Sequence, residues 1–236
     1  MINRSLLVVI ATFIFASCFV GCSNKDQTTT QPQTKVMLIH AAAGGPDSII
    51  VQAYNGVTIQ TVSTSQPYLK NTGYMEATSG TYMFIIDTAN QLDQGYLTYQ
   101  ILTLGTSSGY SFFLYDSTKT AARTFLVNED LTTPSADTAH IRFFHLSPDA
   151  PAVTVTIGSN SFFGNRTFYD MSAATLKFSR QLKGTYPITI YEAGTSNVLA
   201  SLPAVELKEK TIYSLTLTGF AGETGKKAYR ATLFQH

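Results

Sequence analysis

Apolar and polar residues alternate with a period of two along most of this 236-residue chain. Tyr213, Leu215 and Leu217 fall on one face of an extended segment, and Ile212, Ser214, Thr216 and Thr218 on the other. Tyr186, Ile188 and Ile190 alternate with Thr185, Pro187 and Thr189 in the same way, and Val153, Val155 and Ile157 with Thr154 and Thr156. β-Branched and aromatic residues interleaved with Thr and Ser describe half-buried strands. Gly, Asn and Pro punctuate these runs often enough to predict about seven strands per hundred residues, the density of a β-sandwich. Pro187 interrupts its run, which predicts an edge strand. No segment carries an amphipathic helical stripe, and Met171 to Thr175 predicts a single helical turn.

The pattern occurs twice. Gly80-Thr81-Tyr82 through Ala89 matches Gly184-Thr185-Tyr186 through Ala193 at an offset of 104. Val36 to His40 matches Ile141 to His145 at 105, Tyr110 to Leu114 matches Tyr213 to Leu217 at 103, and Arg123 and Leu126 match Arg230 and Leu233 at 107. A near-constant offset means tandem duplication with small loop insertions. The expected architecture is all-β: two tandem β-sandwich domains over residues 35–131 and 138–236, joined by a short linker over residues 132–137.

The amino-terminal residues follow another rule. Arg4 precedes an almost unbroken apolar run from Leu6 to Val20, then Gly21-Cys22 and a polar turn at Ser23-Asn24-Lys25-Asp26. A basic start and an apolar stretch too short for a stable span read as a secretory signal. Phe19-Val20-Gly21-Cys22 resembles a lipobox, with Phe19 where Leu is usual. Residues 1–21 are then a lipoprotein signal peptide, Cys22 the lipid attachment site, and residues 22–34 a flexible, Gln- and Thr-rich tether reaching about 40 Å when extended. Cleavage before Cys18 is the alternative, and it leaves Phe19-Val20 in the mature tether. Without residues 1–21 the chain has no other cysteine, so no disulfide holds it and its stability comes from its cores.

Charge excludes one class of partner. The formal net charge is +1, and it falls to zero once Arg4 is removed. Lys226-Lys227 is the sole basic pair, where a nucleic-acid footprint needs several clustered cations.

The second unit opens with His145-Leu146-Ser147-Pro148-Asp149-Ala150-Pro151-Ala152-Val153, and later carries Gly184-Thr185-Tyr186 and Ala193-Gly194-Thr195. These residues resemble the hallmark of the domain-of-unknown-function 4397 family across the whole second unit, and more weakly across the first. The resemblance implies an immunoglobulin-like sandwich on secreted or surface proteins, and no activity. In the first unit, aligning Pro46-Asp47 with Pro148-Asp149 makes the loop after His40 longer by three residues and leaves it without its second proline. Physically, Pro148 and Pro151 fix two φ angles and Asp149 can bond its own backbone, which makes a rigid corner between strands. A binding loop built from His145, Ser147, Pro148, Asp149 and Pro151 is the functional alternative.

Other motifs weigh less. Gly105-Thr106-Ser107-Ser108-Gly109 matches a nucleophile elbow, but Tyr110 to Tyr115 alternates as a strand where a helix is required, so a hairpin loop is expected. His40 and His145 lack metal-ligand spacing, so no metal and no cofactor is expected. Runs such as Phe112-Phe113 and Ser161-Phe162-Phe163-Gly164 place aromatics on both faces of a strand, for packing between domains or against a partner. Asp47-Ser48-Ile49, Asp87-Thr88-Ala89, Asp116-Ser117-Thr118 and Asp137-Thr138-Ala139 resemble a short O-glycosylation signal, with Ser48, Thr88, Ser117 and Thr138 as acceptors. Ser23-Asn24-Lys25-Asp26 partly resembles an export signal to the outer face of the cell. The expectation is a non-enzymatic envelope lipoprotein at the outer membrane, anchored through Cys22 and binding a protein or glycan partner. A hydrolase of envelope glycans or peptides requires His145, Asp149 and a further acid or hydroxyl to converge. A structural spacer in a surface complex is the third reading.

Overall fold

The computed structural model describes residues 32–89, 97–107 and 109–236. The expected signal peptide, Cys22 and the tether up to residue 31 lie outside them. In the first lobe, eight strands run as β1 (Gln33–Ala41), β2 (Ser48–Tyr54), β3 (Ile59–Pro67), β4 (Met75–Thr78), β5 (Gly80–Thr88), β6 (Thr98–Leu104), β7 (Tyr110–Thr118) and β8 (Ala121–Asn128). The second lobe repeats them as β9 (Thr138–His145), β10 (Val153–Ile157), β11 (Asn160–Arg166), β12 (Ser179–Leu182), β13 (Gly184–Glu192), β14 (Val198–Leu207), β15 (Ile212–Thr218) and β16 (Arg230–Gln235), with α1 (Ala173–Leu176) between β11 and β12. Each lobe therefore has eight described strands where about seven were expected, and the expected helical turn is α1.

Sheet order is the same in both lobes. β4-β1-β7-β8 faces β3-β2-β5-β6 in the first, and β12-β9-β15-β16 faces β11-β10-β13-β14 in the second. β1 lies parallel to β7, as β9 does to β15, and the other pairings are antiparallel. Tyr110 and Tyr213 stand in the first two positions of the equivalent strands β7 and β15, and their hydroxyls accept from the backbone N–H of Gly105 and Lys208, five residues upstream, at 2.9 and 3.1 Å. This tyrosine corner ties one sheet to the other in immunoglobulin-like sandwiches.

Two sequence expectations need correction. Gly105 to Gly109 is no hairpin, because β6 and β7 belong to different sheets and the segment crosses between them. Pro187 lies in β13, between β10 and β14, and so in an interior strand. The ladder to β14 skips a residue between Tyr186 and Ile188, so the missing N–H of Pro187 falls at a bulge where no bond is due.

Each sandwich closes on its own core. In lobe 1 it is built from Val36, Leu38, Ile49, Val51, Phe84, Ile86 and Phe112, and in lobe 2 from Ile141, Phe143, Val153, Val155, Ile188, Ile190 and Leu215. A third cluster joins the lobes: Met37, Ile39, Phe113, Tyr115 and Phe125 of the first pack with Phe144, Leu146 and Phe234 of the second. Eight large side chains at about 1.5–3 kcal/mol each put the contact on the order of 10 kcal/mol. The face of β15 expected to be half-exposed is therefore covered, with Ser214, Thr216 and Thr218 fully buried. Phe112 and Phe113 divide as their alternation predicts, one into the lobe's own core and one into the shared cluster.

Candidate functional site

The hallmark loop of lobe 2 turns on His145, which is 3 % exposed. Its Nε2 lies 3.0 Å from the carbonyl of Pro151, and its Nδ1 lies 3.4 Å from the N–H of Ser147. A carbonyl only accepts and an N–H only donates, so the ring is the neutral tautomer with its proton on Nε2. Burial lowers its pKa against the opposing pull of the Pro151 carbonyl, and the neutral form persists. The Ser147 hydroxyl donates to the carbonyl of Gly219 at 2.6 Å. A Cβ on Gly219 would stand 2.1 Å from the Ala228 carbonyl oxygen, so only glycine fits this close approach. Asp149, expected to bond its own turn, instead accepts from the N–H of Ala221 on the next loop, at 3.1 and 3.2 Å from its two oxygens. Burial and then the Asp149 carboxylate push the nearby Tyr229 hydroxyl up to about 12. Of the five predicted loop residues, His145 and Ser147 are buried, while Asp149 and Pro151 stay exposed at the rim.

Lobe 1 builds the same joint from other residues. His40 Nε2 donates to the carbonyl of Pro46 at 3.0 Å, and its Nδ1 accepts from the N–H of Ala42 at 3.4 Å. Burial holds its pKa at about 4. The six-residue spacing from His to the accepting proline is the same in both lobes. Pro46 is therefore the counterpart of Pro151 and not of Pro148, which corrects the expected alignment. The loop is not three residues longer before its proline, and the proline it lacks is the first. Leu69 and Tyr169, at φ of 59° and 52°, donate their N–H to the carbonyls of His40 and His145 at 2.8 and 2.9 Å. Both hold the left-handed conformation that non-glycine residues seldom adopt, so even the local strain is duplicated.

Between the lobes lies a polar network with no single-motif signature. Arg142, 1 % exposed, makes a bidentate ion pair with buried Glu129, and its Nε donates to Ser214 Oγ at 2.9 Å. The guanidinium is sandwiched by Phe144 and Phe178, 4.7 and 4.4 Å from their ring centroids. His236 bridges Ser214 Oγ and the hydroxyl of Tyr74, each at 2.8 Å. Burial and the Arg142 charge depress its pKa to about 3. The contacts are reciprocal. Tyr68 of lobe 1 bonds Thr218 of lobe 2 at 2.9 Å, and their counterparts Phe168 and Tyr115 meet at 6.3 Å between centroids. The lobes thus face each other as the halves of a pseudo-two-fold pair. An Arg in the otherwise apolar run Ile141 to Phe144 was the one sequence signal for this network.

The hydrolase elements do not come together. His145 and Asp149 make separate backbone bonds, and the Ser107 hydroxyl donates to the Gly109 carbonyl at 3.2 Å. Among the described residues no group of three His, Cys, Asp or Glu is placed to hold a metal. Of the glycosylation candidates, Ser48, Thr88 and Ser117 are all half-buried, the hydroxyls of Ser48 and Ser117 bonded to Ser65 Oγ and the Ala121 carbonyl. Thr138 is fully buried with its hydroxyl on the Ser135 carbonyl, so the folded chain has no room for a glycan there.

The geometry defines a class: paired immunoglobulin-like sandwiches, each cornered by a histidine-clamped loop. The chain belongs to the DUF4397 family, a domain of unknown function, whose model matches residues 34–156. That match takes in the first lobe and the hallmark loop of the second, so the first copy lies wholly inside the family, although its loop looked the more divergent. No curated protein matches the chain. Among solved structures it is similar to a family-26 carbohydrate-binding module of Eubacterium rectale Amy13K in complex with maltoheptaose, with a TM-score of 0.25 and 11% identity over 86% of this chain and 97% of that one. It is also similar to the tip fimbrial protein Mfa3 of Porphyromonas gingivalis, with a TM-score of 0.21 and 8% identity over 87% and 100%. For a putative adhesin of Bacteroides ovatus the values are 0.18 and 9%, over 87% and 95%. Superposition this loose leaves the site to rest on the geometry above.

Proposed function

We propose that the chain is a non-catalytic binding protein of the cell envelope, held at the outer membrane by acyl chains on Cys22 and presenting its two lobes as one rigid body to a protein or glycan partner. One observation carries the non-catalytic reading: in both copies the hallmark histidine is neutral, buried and bonded on both ring nitrogens to its own loop's backbone. A general base needs a free nitrogen within reach of a substrate proton, and neither ring has one. The anchor rests on the sequence around Cys22, where several acyl chains give firm membrane attachment. The spacer reading draws on the interlobe core, since a rigid body also holds partners apart.

Cys22→Ser tests the anchor. The variant is expected to lose metabolic palmitate labelling and to leave the membrane fraction, and unchanged fractionation would contradict the assignment. Protease shaving of intact cells addresses the outer face, where release of the lobes is expected.

A further inference from the structure

The lobes differ on the open side of the sandwich, between edge strands β3 and β4 and their counterparts β11 and β12. In lobe 1 a cleft of about 200 Å³ opens there, lined by Val36, Ala53, Val62, Met75 and Phe84 among others. Strand register fixes the counterparts. Ala53 pairs with Gln60 as Ile157 pairs with Asn160, and Val51 pairs with Ser63 as Val155 pairs with Phe163. Ala53, Val62 and Ser63 therefore correspond to Ile157, Phe162 and Phe163. In lobe 2, Ile157 and Phe163 are buried in the core, and Phe162 packs edge-on against Phe163 at 4.9 Å. The second lobe fills with its own phenyl rings the place that the first leaves open.

Two further features say what fits. The one charged residue lining the cleft, Glu76, is paired with Lys35 at 3.5 Å, so the guest group is uncharged. β3 is the outermost strand of its sheet, and among the described residues no strand pairs with its outer edge. An apolar cavity of about 150 Å³ is enough to hold a benzene ring. Burying one ring is worth about 10- to 100-fold in affinity, which falls short of the cost of association for a small molecule alone. A polypeptide adds main-chain bonds along a free strand edge.

We propose that the lobe 1 cleft receives a phenylalanine side chain from an extended segment of a partner polypeptide, whose backbone pairs with the free edge of β3. This deepens the binding role proposed above by giving the partner's chemistry, and it does not depend on the lipid anchor.

The test titrates the mature chain with a capped pentapeptide, threonine-valine-phenylalanine-valine-threonine, followed by NMR. Shifts are expected at Ala53, Val62 and Phe84. Replacing the peptide's phenylalanine by alanine should weaken binding about 30-fold. Val62→Phe, which restores the lobe 2 residue, and N-methylation of the peptide backbone should each abolish it. Lobe 2 amide shifts report whether Val62→Phe folds, and Ser63→Phe replaces it if it does not. Absence of binding, equal binding of the alanine peptide, or binding undiminished by the filled cleft would overturn the proposal. Benzyl alcohol binding as tightly as the peptide would overturn the polypeptide partner. Failure here with Cys22-dependent membrane retention intact removes the cleft and leaves the anchored protein standing.

Discussion

The two lobes close the same corner with the carboxylate on opposite sides. In lobe 2 the hallmark loop supplies it: Asp149 accepts from the N–H of Ala221, two residues after Gly219 on the facing loop. In lobe 1 the counterpart of Gly219 is Asp116, which accepts from the N–H of Gly44 at 3.0 Å, and Gly44 is the counterpart of Asp149. A Cβ on Gly44 would stand 2.7 Å from the Lys119 carbonyl oxygen, so no side chain can return to that position. Carboxylate and glycine have exchanged places, and in each lobe a carboxylate still accepts from a backbone N–H across the two loops. The duplication preserves a joint between loops rather than a reactive set, since an exchange of this kind would dismantle any catalytic geometry. It also changes the electrostatics. Asp149 is exposed, while Asp116 is 2 % exposed and burial raises its pKa to about 6 against the pull of Gly44, Ala43 and the nearby lysines.

The sharpest way to break the pairing of the lobes is Glu129→Ala. It leaves the Arg142 guanidinium buried without its partner, which costs about 3–5 kcal/mol, and urea unfolding measures it. A loss under about 1 kcal/mol would mean that the lobes do not hold Arg142 dry. His40→Ala and His145→Ala come next, each removing two backbone bonds and a buried ring, for about 2–4 kcal/mol. Similar losses are expected, and a large difference would show that the two loops are not equivalent joints.

Acid separates the lobes further. His40 and His236 have folded pKa values of about 4 and about 3, below the usual 6.5, so the unfolded chain binds their protons first. Their contribution is complete above pH 6.5 and is lost as pH falls towards those values. Asp116 acts the other way: its pKa is raised from 3.8 to about 6, so it favours the folded state more as pH falls across that interval. Between pH 6 and 4 it partly offsets the histidines. Asp116→Asn should therefore steepen the loss of stability on acidification by up to about 1.4 kcal/mol per pH unit, read from urea midpoints at successive pH values. An unchanged slope would place Asp116 in water. The smallest effect is expected from Ser147→Ala, about 1 kcal/mol for the lost bond to the Gly219 carbonyl. Lobe 1 already has Ala42 at this place, so Ala42→Ser should gain nothing.

Period-two alternation and the constant offset made the sandwiches and their duplication legible, because both arise within single strands and between copies of one chain. The hallmark loop was legible as a rigid corner, although not the partner of Asp149, which lies 72 residues away on another loop. The true counterpart of Pro46 was hidden because the Pro-Asp pair recurs at a different place in each loop, and the spacing is set by the histidine bond. The buried second faces of β7, β9 and β15 were hidden because Ser214, Thr216 and Thr218 look solvent-facing. They are small enough to pack against another sheet, and alternation cannot tell a wet face from a covered one. The cleft was hidden for the opposite reason, since Ala53 and Val62 look like ordinary core residues until register sets them against Ile157 and Phe162.

That the lobes form one body held by a shared core is tested most directly by calorimetry of the folded chain. A single transition is predicted, with the calorimetric enthalpy equal to the van't Hoff enthalpy. Two resolved transitions, or a calorimetric enthalpy about twice the van't Hoff value, would show lobes that melt independently and would contradict it.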